Sequence, residues 1–356
     1  MMSNYGLTWK NCNDVLAQRA RTWRWAIAIG AGTSLPAFPN WERLVMSLIG
    51  TDKAVADPAT LLTVLNKSFS YDALIQAAKD VLGEDDDTFV KRLIDLLYSD
   101  IKKRAGKDWD VIAKALTAAS PGQLKRDKWH LFLKFIRANY ANLTSLQIAE
   151  AIMKARKADL SPVAVISFNG EQLLYSLVHA VAATSASSTA DLKKERVFDR
   201  VTRGISHREE PRIPYIFCHG LFPMSEGFSL FPTMAAAEKL VFSEGEYLQL
   251  ANSAFSWQSA PFLGTAVLRS IVFIGLSFSD PNLRRWLAWV HANRAAELEL
   301  KGKDPECYEH YWLREDIANQ DEKRWVESSV RHLGVRLVWV TSWNKIGAYL
   351  ERMLSI

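Results

Sequence analysis

Four short segments of this chain place small and polar residues where phosphate and ribose chemistry could use them. They are Gly30-Ala31-Gly32-Thr33-Ser34, Ser167-Phe168-Asn169-Gly170-Glu171, Cys218-His219-Gly220 and Gly275-Leu276-Ser277-Phe278-Ser279-Asp280. Glycines at 30 and 32 let a backbone approach a pyrophosphate closely and turn its amides, with the Thr33 and Ser34 hydroxyls, toward negative charge. The Asn169 amide both donates and accepts without acquiring charge, which suits holding a ribose hydroxyl or an attacking water. Histidine is the side chain that moves protons near neutral pH, a role open to His219. Each segment also has a plainer reading: a glycine corner, a turn asparagine, a strand-end histidine satisfied by backbone. Asp280, just before Pro281, reads first as a helix cap. The full GxGxxG fingerprint is absent because Leu35 stands in the last glycine's place. A serine-hydrolase elbow at Gly275 to Ser279 lacks its second glycine.

Such residues act together only if strands bring them together. Trp25-Ala26-Ile27-Ala28-Ile29 is a short unbroken apolar run, the pattern of a strand buried on both faces. Val163 to Ser167, Ile213 to Cys218, Ile271 to Gly275 and Val335 to Val340 read the same way. After the first run, apolar residues at 41, 44, 45, 48 and 49 keep helical spacing. Residues 51–160 are helical in character, with periodic stretches at 71–82, 88–98, 129–140 and 145–157. Further helices are expected at 171–182, 244–254, 282–294 and 321–333, and the small-residue stretch Ala182 to Ala190 reads as a surface loop. Strands alternating with helices predict an α/β, Rossmann-like, doubly wound and mostly parallel sheet with a helical insertion. The corresponding division is 1–50 and 161–356 for the sheet domain and 51–160 for the insertion. In such a sheet the ligand lies beyond the carboxyl ends of the strands, where all four segments fall.

With 356 residues, 49% hydrophobic and 23% charged, disorder and fibrous repeats are excluded. A net charge of +5 permits an anionic ligand without demanding one. No apolar run reaches the roughly 18 to 20 residues of a membrane span, and Met1 to Lys10 has no signal-peptide core, so a cytoplasmic protein away from membranes is expected. Cys12, Cys218 and Cys307 are far apart, and the seven histidines show no HxxxH or HExxH spacing, so no metal site is assigned.

Taken in order, GAGTS, SFNGE, CHG and GLSFSD resemble the sirtuin-like family, whose members carry a GAG-S loop, a T-x-N-x-D segment, a catalytic His-Gly and a later G-x-S motif. The likeness runs from about Ala26 to Asp280, and Tyr308 to Leu350 resembles the closing strand-helix unit of such domains. It points to the bacterial sirtuin-like NAD-degrading effectors of anti-phage defence rather than to protein deacetylases, whose four zinc-binding cysteines are missing here. The resemblance implies NAD+ as substrate, cleaved to nicotinamide and ADP-ribose, with Asn169 and His219 as the catalytic pair. Gly30, Ala31, Gly32, Thr33 and Ser34 would hold the pyrophosphate, and Gly275 and Ser277 would face the adenosine half. It also implies a homo-oligomer working with a separate sensor or ATPase partner. Two departures stand out: Ser167 replaces the family threonine, and Glu171 replaces the aspartate that orders the asparagine loop. The extra methylene of Glu171 is expected to displace that carboxylate.

A rival from another class is a catalytically weak module that binds NAD or ADP-ribose and scaffolds a nucleic-acid-processing partner. Between Lys125 and Lys157 eight basic residues face two acidic ones, with Trp129, Phe132, Phe135 and Tyr140 among them. That segment reads either as a nucleic-acid or acidic-partner surface or as a solvated helix face over an aromatic core stripe. The tryptophans 286 and 289 sit in a run that reads as buried, and some of the thirteen are candidates for a subunit interface.

Overall fold

Alternating side chains along Trp25–Ile29 go to opposite faces of a strand, and here both faces are apolar. Trp25, Ile27 and Ile29 enter one hydrophobic cluster, while Ala26 and Ala28 enter a second. The strand is therefore the centre of a sheet covered on both sides. In the computed structural model, which describes residues 6–185, 196–202, 212–222, 244–245, 259–303 and 309–356, this is strand β2 of eight. The others are β1 Leu7–Thr8, β3 Val165–Ser167, β4 Phe198–Val201, β5 Ile213–Phe217, β6 Ser270–Ile274, β7 His310–Glu315 and β8 Val335–Val340. All pairings are parallel and the order is β1-β8-β7-β6-β2-β3-β5-β4.

From β2 the chain moves one way to β3 and later returns to β6 on the other side of β2. Ile29 is in register with Ser167 of β3 and with Ile274 of β6, so three loops leave the sheet side by side at this point. This is the topological switch point, where open α/β sheets bind ligands. The expected doubly wound α/β sheet is observed.

One face is covered by helices of the 41–185 region. Among them are α2 (Trp41–Ile49), α3 (Pro58–Leu65), α4 (Tyr71–Leu82), α5 (Asp86–Ala105), α7 (Arg126–Asn139), α8 (Thr144–Lys157) and α9 (Leu173–Ser185). The opposite face is covered by Ser259–Leu268, Pro281–Leu300 and Gln320–Arg331. Helix α5 is longer than its periodic stretch because Asp85 caps it, accepting from the Thr88 amide, and Gly106 at φ +50 ends it. Helix α3 lay outside the periodic signal, although Asp57 with Pro58 behind it is a start signal in itself.

Strands β4 and β7 carry no clean apolar run, since His310, Arg314 and Glu315 interrupt the latter. Its neighbours β6 and β8 impose the extended form. The loop expected from Ala182 begins later, because α9 continues through Ser185; 186–195 lie outside the described residues, as does the helix expected over 244–254 beyond its first two positions. Trp286 is buried against Phe262, but Trp289, expected inside, is 56% exposed. The aromatic stripe of α7 is core: Trp129, Phe132 and Tyr140 are buried, and Arg137 pairs with Glu150 at 2.9 Å.

Two histidines are interior structural groups. His179 sits between Tyr175 and Phe198, where burial, then Arg196 and Arg200, hold its imidazole down at about 3. His310 accepts from the Ile271 amide, and burial, then Arg294 and Arg19, hold it at about 3 as well. Both are neutral in the fold and titrate near 6.5 when unfolded. Their contribution is complete above about 6.5 and is lost as pH falls from there toward 3. The urea midpoint should therefore be flat above neutrality and drop on acidification, and His179→Phe should flatten the drop. Equal midpoints at about pH 5 and about pH 7 would refute this.

Candidate functional site

The β2 and β6 loops touch backbone to backbone. The Gly30 amide donates to Ile274 O and the Gly32 amide to Gly275 O, both at 3.0 Å. A Cβ on Gly30 would stand 2.6 Å from Gly275 O, and one on Gly275 would stand 2.5 Å from the Thr33 nitrogen. Gly275 also has φ +69, so no L side chain fits there without strain. Gly275→Ala should cost about 2 to 4 kcal/mol and misplace the β2 loop. A denaturant midpoint within error of the unsubstituted chain would contradict this.

Past Gly30 the chain makes one tight turn, Ala31–Thr33. The hydroxyls of Thr33 and Ser34, expected to face a phosphate, are both used inside the protein. Thr33 donates to Gly30 O at 2.9 Å and Ser34 donates to Glu171 Oε1 at 2.6 Å. Ser145, in the first turn of α8, donates to Thr33 O at 2.8 Å and fixes the turn from behind. Nothing in the sequence pattern singled out Ser145.

At the end of β3 the Glu171 carboxylate is within hydrogen-bond reach of Asn169. It reaches across to accept from Ser34 Oγ, from Asn169 Nδ2 at 2.9 Å, and from the Leu173 amide. Burial pushes its carboxyl up against the pull of those three donors. Its partners among the described residues are all donors, so the Asn169 amide turns its NH2 group toward the carboxylate. The NH2 group is also 3.3 Å from Ser34 Oγ. Asn169 Oδ1 is thereby left buried with no hydrogen-bond partner among the described residues. Asn169 and Glu171 are 5% and 4% exposed.

His219 follows β5. The Cys218 amide donates to Ser167 O and the Phe222 amide to Gly170 O, which ties this loop to the asparagine loop, and Gly220 turns at φ +78. The His219 ring packs on the edge of Phe168 at 5.2 Å and is 3.7 Å from Asp280 Oδ2 through Nε2. Asp280 is the expected cap, accepting from the Asn282 and Leu283 amides. Its approach to His219 was not foreseen. Ser277 is exposed and shares a 2.6 Å hydrogen bond with Ser279.

Ala31, Ser34, Phe38, Trp41, Phe168, Asn169 and Glu171 line a cavity of about 30 Å³, room for one water. Phe38 and Trp41, on the α2 side, carried no motif signal. Among the described residues no three His, Cys, Asp or Glu side chains group to hold a metal, and no helix is long and apolar enough to cross a membrane.

A parallel doubly wound sheet with glycine loops interlocked at its switch point is the architecture of a nucleotide-binding α/β protein. Residues 177–333 match the family model of the SIR2-like domain, a span that takes in His219, Gly275, Ser277 and Asp280. That span, under half of the chain, is similar to a SIR2-like domain, a likeness that points to chemistry on NAD. No curated protein matches the sequence significantly.

Proposed function

We propose that this chain hydrolyses NAD+ to nicotinamide and ADP-ribose. The observation that carries the reading is Asn169: a buried amide, oriented by Glu171, whose unsatisfied carbonyl oxygen belongs to a side chain lining the switch-point cavity. A buried acceptor left unpaired costs about 1 to 3 kcal/mol, a cost that a ligand donor repays. A ribose hydroxyl or a water supplies that donor. In the reaction the bond from the ribose anomeric carbon to the nicotinamide nitrogen breaks and its electron pair stays on nicotinamide. A water oxygen then bonds to the same carbon. Asn169 positions the ribose or the water, and His219 accepts the proton released. Gly30, Ala31 and Gly32 let the pyrophosphate approach, Thr33 and Ser34 shape the turn, and Gly275 and Ser277 face the adenosine half.

The setting we propose follows the family likeness: a cytoplasmic effector that depletes NAD in anti-phage defence, acting as a homo-oligomer triggered by a separate sensor or ATPase. The division into a sheet domain and a helical insertion at 51–160 is part of the same proposal.

One observation favours the scaffold reading: His219 is not among the residues that line the cavity beside Asn169. Calorimetric titration with NAD, run beside chromatography of the products, separates the two. Binding with nicotinamide release supports the hydrolase; binding without turnover, with or without the partner, supports the scaffold.

A further inference from the structure

Strands β5 and β6 are not neighbours in the sheet, since β3 and β2 stand between them. The loops that follow them nevertheless meet, and the sequence from 275 to 280 explains how. Gly275 at φ +69 and Phe278 at φ +59 turn the chain twice. The Phe278 ring is buried between Phe273, at 4.9 Å, and Trp312, at 4.6 Å. Asp280 is then fixed at the head of Pro281–Leu300, where Oδ1 accepts from the Asn282 amide at 2.8 Å and the Leu283 amide at 3.3 Å. Capping engages one oxygen only, and Ser or Asn would serve it as well. The second oxygen, Oδ2, is the one 3.7 Å from Nε2 of His219, whose side chain is 6% exposed.

We infer that Asp280 is a positioning residue for His219: its Oδ2 keeps the imidazole protonated at Nε2, so that the ring's basic lone pair lies on Nδ1. This rests on the reading of His219 as the proton acceptor. A carboxylate is an acceptor only, so the nitrogen facing it carries the hydrogen. Burial pushes the Asp280 carboxyl up, but the His219 imidazole and the two capping amides outweigh it and hold the group below the usual carboxylate range. Cys218 also faces Asp280; burial, then that charge, push its thiol up to about 12, so it stays neutral and does not compete. The Phe168 ring packs against the imidazole in a T-shaped arrangement at 5.2 Å.

Asp280→Asn tests the inference. Asn caps as well as Asp, so the fold should hold. With its oxygen on the capping amides, Asn turns an NH2 group toward Nε2 and makes that atom the acceptor. Nitrogen NMR of the full chain with labelled histidine, with His219→Gln used to assign the signal, should show the ring proton on Nε2 in the unsubstituted chain and on Nδ1 in Asp280→Asn. For NAD cleavage, kcat should fall about 100-fold with KM within about twofold. The same tautomer in both proteins, or an unchanged kcat, overturns the inference. If no form of the chain cleaves NAD, the hydrolase reading falls alone, and the nitrogen spectra still decide the pairing.

Discussion

Asn169→Ala should lower the rate of NAD cleavage by about 100-fold or more while leaving the folded chain as stable as before to within about 1 kcal/mol. The two effects separate because the side chain does different things for each. For stability it brings one of three donors to Glu171 and an unpaired oxygen, which offset one another. For catalysis it is the group that fixes where the ribose or the water sits, and a misplacement of about 1 Å costs about 100-fold. Initial rates and thermal midpoints measured on the same preparations check both halves. An active Asn169→Ala chain would remove the residue from the site.

Glu171→Ala should be the most destabilising single change in the site, costing about 3 to 5 kcal/mol and abolishing turnover. Relief of a buried carboxylate works in the other direction, since burial already pushes its carboxyl up. The loss is larger because the Ser34 hydroxyl, the Asn169 NH2 and the Leu173 amide are all left without their acceptor. Glu171→Gln isolates orientation from folding. It keeps the shape but sets an NH2 group against one of those donors, so it should cost about 1 to 2 kcal/mol while turnover still falls about 100-fold. Chemical denaturation of the two variants gives the ordering. An active, stable Glu171→Gln chain would show that the carboxylate does not orient Asn169.

The central strands were legible because burial on both faces leaves an apolar run that needs no context, as in Trp25–Ile29 and Val335–Val340. Strand β7 was not, because its His310 is a buried neutral acceptor and its Arg314 lies over the Trp312 ring. In that strand, polar residues do apolar work that depends on partners distant in sequence. A cap written into the chain marks a helix start, as at Asp280, whereas α6 (Trp109–Thr117) has no side-chain cap and no expected stretch covered it. The same split runs through the site. Asn169, His219 and the two glycine loops stand out as motifs. Their contacts do not, since Ser145 reaches Thr33 over 112 positions and Ser34 reaches Glu171 over 137. The Glu171 departure shows the limit most clearly. Its carboxylate accepts from Ser34 on the β2 loop, a partner that the segment SFNGE by itself does not announce.

The most direct test of the central claim is mass spectrometry of the products formed when the purified chain is incubated with NAD in heavy-oxygen water. Unlabelled nicotinamide is expected together with ADP-ribose carrying one heavy oxygen at the anomeric carbon, and neither product from a chain lacking both Asn169 and His219. Intact NAD, or ADP-ribose released without the label, would contradict it.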